Sequence, residues 1–150
     1  MIKRGQAGLD FLMTYGWALL LIVLVVGALF ALGIFDISNF LGSRATGFTQ
    51  IGVSAWRITP AGVLTMQFRN QAGTSINVTS INATLGTSTV NYGTGFNISN
   101  GQTSSTITVG TFGTPPSSGA GYSVRINIAY TDLTTGFAYA DSGTITGRVN

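Results

Sequence analysis

Few residues in this sequence can do covalent or metal chemistry. Its 150 residues include no Cys, no His and no Glu. Thiolate and imidazole chemistry, zinc and haem ligation by those groups, and a disulfide framework are therefore excluded. Carboxylates come only from Asp10, Asp36, Asp132 and Asp141. The stretches Tyr130-Thr131-Asp132 and Tyr139-Ala140-Asp141 offer a conceivable pair. Asp132, however, opens a turn while Asp141 falls in a strand, and turn formation is the commoner use of Asp. No catalytic residue, no metal site and no enzyme activity is expected. Three glycosylation sequons offer modifiable asparagine amides, Asn77-Val78-Thr79, Asn82-Ala83-Thr84 and Asn97-Ile98-Ser99. Asn77, Asn82 and Asn97 are candidate sites for N-linked glycans, and no cofactor is expected.

Charge is scarce as well. Only 7% of residues are charged, against roughly 25% in soluble globular proteins. The formal charge is +3. Arg44, Arg57, Arg69, Arg125 and Arg148 are spaced singly and read as surface charges. Without a clustered basic stripe to follow a phosphate backbone, nucleic acid is not an expected partner.

The elements that carry these residues are of two unlike kinds. From Phe11 to Phe35 there are 25 consecutive residues without a charge, bounded by Asp10 and Asp36. As a helix this run would be roughly 37 Å long, enough to cross the ~30 Å hydrocarbon core of a bilayer. It is too long for the apolar core of a cleavable secretory signal, which has about 7–15 residues. Lys3 and Arg4 precede the run, and the next basic residue is Arg44. The positive-inside bias therefore leaves the N-terminus in the cytoplasm and the bulk of the chain outside. Gly16, Gly27, Ala28, Ala31 and Gly33 interrupt the large apolar residues. Gly27 and Ala31 form a small-xxx-small pair that permits close helix contact.

The helix is expected to end near Leu41, with a linker over 42–48 and an exported domain over 49–150. In that domain short alternating stretches replace the apolar run, as in antiparallel strands with one face in a core. Tyr122, Val124, Ile126, Ile128 and Tyr130 share one face of a strand. Asp132 to Gly136 supplies a hairpin turn, and a partner strand runs from about Phe137 to Ile145. Leu64, Met66 and Phe68, then Ile107 and Val109, mark further half-buried strands. Between Val78 and Ile81 the apolar phase slips, which predicts a bulge or corner. In this phase Asn77 and Thr79, and Asn82 and Thr84, turn outward opposite Val78, Ile81 and Ala83. The fold class expected is α+β: a long hydrophobic N-terminal α-helix followed by an all-β, immunoglobulin-like sandwich of around seven strands.

The N-terminal residues Lys3-Arg4-Gly5-Gln6-Ala7-Gly8-Leu9-Asp10, running directly into Phe11-Leu12-Met13-Thr14-Tyr15-Gly16-Trp17, carry more information together. A short basic leader, a Gly, a Gln and an acid in the fifth place after that Gly resemble the class III signal of archaeal type IV pilins. The resemblance covers about Met1 to Phe35. Asp10 stands where Glu is usual, and Gly8 where many members have Ser.

The resemblance implies that a prepilin peptidase cuts between Gly5 and Gln6, so that 1–5 is the leader and 6–41 the transmembrane and later filament-core helix. It implies that Asp10 pairs with the new α-amino group of Gln6 on a neighbouring subunit. It further implies a helical homopolymer, an assembly ATPase and membrane platform protein, a membrane-held precursor, and an extracellular filament for surface adhesion. Two alternatives stand beside it. One is an archaellin-type motility filament, although archaellins tend to lack an acid where Asp10 stands and are usually longer. The other is an uncleaved membrane-anchored surface binding module. Loss of Lys3 and Arg4 with the leader would lower the formal charge from +3 to +1. The surface left, rich in Ser, Thr, Asn and Gln, would change little with pH or salt.

Overall fold

In a computed structural model of the chain, residues 3–32 and 42–150 are described. The chain divides into two units, one holding the only helix among these residues and the other holding every strand. Helix α1 spans Lys3–Ala31. Leu32 extends its last turn by donating its amide to the Ala28 carbonyl at 2.9 Å. The expected helix end at Leu41 lies outside the described residues.

The second unit is an antiparallel β domain. Its strands are β1 (Arg44–Thr46), β2 (Ile51–Ile58), β3 (Val63–Asn70), β4 (Ile76–Leu85), β5 (Ser88–Tyr92), β6 (Phe96–Ile98), β7 (Ile107–Thr111), β8 (Gly121–Asp132) and β9 (Ala138–Arg148). They form two sheets, one in the order β1-β9-β8-β4-β5 with β6 also on β4, the other in the order β2-β3-β7. The two sheets contribute to one apolar core. Ile76, Val78, Ile81, Val124, Ile126 and Ile128 come from the first, and Ile51, Leu64, Met66, Phe68 and Val109 from the second. Strand alternation generates this core, because every second residue points the same way. In β8 the burial alternates without a break from Tyr122 to Tyr130.

Two irregularities shape the sheets. Against β8, the register of β4 shifts between Val78 and Ser80. This bulge is the physical form of the apolar phase slip in the sequence. It lets Val78, Ile81 and Ala83 all reach the core although they are not evenly spaced. Within 42–48, the stretch read as a linker, residues Arg44–Thr46 form β1 and pair with Thr144–Thr146 of β9. Gly143 makes this approach possible. A Cβ there would lie 2.5 Å from the Thr46 carbonyl oxygen and 2.6 Å from the Phe48 ring.

Candidate functional site: the apolar helix and the outer strand faces

From Met13 onward helix α1 is apolar on all sides. Its stretch Met13–Ala31 is long and apolar enough to cross a membrane, and none of that stretch is buried. Leu19, Leu20, Leu21, Ile22, Val23 and Leu24 are all exposed in sequence, so no polar stripe separates them. A helix of this type belongs among lipids or among other apolar helices. At about 1.5 Å per residue, its 19 residues span roughly 28 Å, close to a bilayer's hydrocarbon thickness.

The residues singled out in the sequence fall on this helix as follows. Gly5 and Gln6 lie inside α1, so the bond between them belongs to helical backbone. Asp10 is exposed, about two turns from Lys3. In the full chain it is therefore removed from the positive end of the helix dipole; a new N-terminus at Gln6 would bring it within about a turn of that end. One turn on, the Thr14 hydroxyl donates to the Asp10 carbonyl at 2.8 Å. Phe11 and Tyr15, four residues apart, bring their rings to 4.9 Å. With Gly16, Ala18, Leu19 and Ile22 these two rings line an apolar concavity of about 230 Å³.

The small residues make notches in the helix surface. A Cβ added at Gly16 or at Gly27 would meet nothing within 4 Å. At 3.6 residues per turn, Gly16 and Gly27 point within about 20° of each other, and Ala31 lies one turn beyond Gly27. Ala28 is exposed beside them. Gly33 lies outside the described residues.

The three sequon asparagines all lie on the outer face of the larger sheet. Asn77 on β4 stands opposite Asn97 on β6, and its Nδ2 donates to the Asn97 Oδ1 at 2.6 Å. Asn82 is exposed between Asn91 on β5 and Asn127 on β8. Asn77 is half-buried, so the three amides differ in access.

Asp132 and Asp141 are engaged by separate sets of backbone amides. The Asp132 Oδ1 accepts from Thr134 N at 2.7 Å and Thr135 N at 3.2 Å and so closes the β8–β9 turn. The Thr134 bond is the main reason its carboxyl lies below the usual carboxylate range, although partial desolvation opposes it. Asp141 is only 6% exposed. Its Oδ2 accepts from Thr49 N at 3.0 Å, Gln50 N at 2.7 Å and Ile51 N at 2.9 Å. Its Oδ1 accepts from the Thr49 hydroxyl at 3.2 Å and Ser142 N at 2.9 Å. Desolvation pushes the Asp141 carboxyl up, but the amides of Ile51, Gln50 and Thr49 and the Thr49 hydroxyl together hold it below its ordinary value.

Sequence reasoning did not find this role for Asp141. A signal was present: Asp141 falls on the same phase of β9 as Ile145, and an acid on a core-facing phase requires donors. Among the described residues no group of three or more His, Cys, Asp or Glu side chains could hold a metal ion. Compared with known proteins, the chain matches no protein-family model and no curated protein.

Proposed function

We propose that this chain is the structural subunit of an extracellular helical filament of the archaeal type IV pilus kind, made as a membrane-held precursor. A prepilin peptidase cuts between Gly5 and Gln6, and an assembly ATPase with its membrane platform extracts the cleaved chain into the filament. The observation that carries this reading is an all-round apolar helix preceded within a few residues by Gly5-Gln6 and by one acid, Asp10. An unpaired carboxylate at the start of such a helix is costly once the helix enters lipid or a helix bundle, so a partner is needed there. The new α-amino group of Gln6 on a neighbouring subunit is that partner. Gly16, Gly27, Ala28, Ala31 and Gly33 let parallel helices approach in the filament core. Since lipid is about as apolar as the side chains, assembly gains its energy mainly from packing.

The β domain forms the outer layer as an immunoglobulin-like sandwich. The strand order supports this. With β1 and β6 set aside as short edge pieces, β2-β3-β7 and β9-β8-β4-β5 correspond to strands A-B-E and G-F-C-C′ of such a fold. The domain carries no catalytic site, binds no nucleic acid, and accepts N-linked glycans on its sequon face. The filament serves adhesion to surfaces.

The charge pairing is tested with Asp10→Ala in the native host. Processing at Gly5 stays intact while incorporation into filaments falls severalfold; normal filaments from this variant would remove the pairing from the account.

A further inference from the structure

The β domain has an apolar hairpin tip on one sheet and an open groove on the other. Among its described residues only three large apolar side chains are exposed, Leu133 at 51%, Phe137 at 66% and Tyr139 at 47%. All three belong to one hairpin, that of β8 and β9. A cluster rather than a scatter of exposed apolar groups marks an interaction surface. The tip is held in shape by the Asp132 turn, by Gly136 N donating to the Asp132 carbonyl at 2.8 Å, and by Leu133 N donating to the Ser75 carbonyl at 2.9 Å. Tyr139 also stacks on Tyr130 with ring centroids 5.7 Å apart. A pre-shaped apolar tip loses little freedom when it binds.

The groove is on the outer face of the smaller sheet. Ala55 and Arg57 of β2, Thr65 and Gln67 of β3, and Thr106 line an open depression of about 200 Å³. Arg69 continues the same face of β3 beyond Gln67, and both arginines are exposed. The acids of this domain, Asp132 and Asp141, are bound by backbone amides, and neither Arg57 nor Arg69 has an acidic partner among the described residues. The tip therefore combines an aromatic anchor with Asp132, which is half-buried and the more accessible of the domain's two acids. The groove combines a hollow of mixed polar and apolar lining with two arginines that have no acidic partner among the described residues. A patch that fits a pocket elsewhere on the same molecule makes a head-to-tail contact that propagates rather than closes.

We infer that the 132–139 hairpin tip of one copy docks on the outer β2-β3-β7 face of the next copy, with Phe137 in the groove and Asp132 toward Arg57 and Arg69. The occupant is a second copy of this chain because one surface carries the acid and the aromatic anchor and the other carries the hollow and the cations. The inference deepens the homopolymer reading by giving it an outer-layer contact besides the helix core.

The chain's lack of cysteine gives a clean background for cross-linking the full-length protein in membranes of expressing cells. A Thr134→Cys/Thr108→Cys variant treated with a short bis-maleimide gives a ladder of covalent multimers, while a mixture of the two single variants stops at dimers. A Thr134→Cys/Asn82→Cys control, which uses the outer face of the other sheet, gives no ladder. Adding Phe137→Ser to the first variant lowers the ladder about tenfold, the scale expected for loss of an aromatic anchor. Adding Asp132→Asn, which keeps the turn acceptor and removes the charge, lowers it less, and has no further effect once Arg57→Gln and Arg69→Gln are present.

A missing ladder, or one that Phe137→Ser leaves unchanged, overturns the inference. The filament reading is scored separately by the mature N-terminus. Cleaved, filament-forming chains without a ladder sink the docking alone, whereas a ladder from an uncleaved chain sustains the docking and sinks the pilin reading.

Discussion

The two units use the same side chains to opposite ends. In α1, Trp17, Leu24 and Phe30 are each about two-thirds exposed, whereas Leu64 and Phe68 of β3 are wholly buried in the β domain. Apart from its hairpin tip, the β domain buries its large apolar side chains within one chain, through strand alternation and two sheets facing one core. The apolar stretch Met13–Ala31 of the helix, by contrast, is not buried. Such a surface is suited to lipid or to packing against other apolar segments. The same contrast separates two aspartates. Asp141 is buried and held by amides of its own chain, while Asp10 is exposed on the helix.

Large-to-small substitutions break or sharpen this contrast most strongly. Phe68→Ala should destabilise the β domain by about 3–5 kcal/mol in denaturant unfolding of the detergent-solubilised chain, since it removes a fully buried ring. Leu24→Ala in the helix should change that same transition by less than ~0.5 kcal/mol. Equal effects from both would mean that the helix is part of the domain's folding unit.

The next effect is that of Asp141→Ala. It leaves the amides of Thr49, Gln50 and Ile51 without their acceptor in a largely buried place, and should cost roughly 3 kcal/mol. Its pH dependence has a definite sign. The folded carboxyl lies below its unfolded value of about 3.9, so the stabilisation is fully present above that pH and is lost as pH falls through the lower folded value. Melting temperature should hold steady from neutral to mildly acidic pH and fall only in strong acid. In Asp141→Asn the acid-dependent part of that fall should shrink.

Smaller again is Gly143→Ala. The added Cβ would press on the Thr46 carbonyl and the Phe48 ring, forcing β1 away from β9 at a cost of about 1–3 kcal/mol. Amide exchange checks where the damage falls: it should speed up over 44–50 and leave the centre of β8 protected.

Much of this architecture was legible in the residues. The Phe11 to Phe35 run announced the helix, and the alternation from Tyr122 to Tyr130 announced β8, its turn at Asp132 and its partner β9. The slip between Val78 and Ile81 announced the bulge in β4. Other features had weak signals for physical reasons. β2 lost its alternation because its register against β3 shifts between Val53 and Ala55. β1 and β6 each have only three residues, too few to show a period. The Asp141 clamp escaped notice because its donors are mostly backbone amides some 90 residues earlier in the chain, and amides carry no residue signature. The same holds for Asn70, wholly buried, whose Nδ2 donates to the carbonyls of Thr74 and Ile98 while its Oδ1 accepts from Ala72 N. Polar residues that bind backbone are visible only after the fold brings the chain together.

The measurement that bears most directly on the proposed function is the intact mass and N-terminal sequence of the protein from its native host, taken together with electron microscopy of the cell surface. The account predicts a chain beginning at Gln6, lacking Met1 to Gly5, in filaments whose cores are built from this helix. A mature protein that retains Met1 to Gly5 and forms no filaments would contradict it and leave a membrane-anchored surface domain instead.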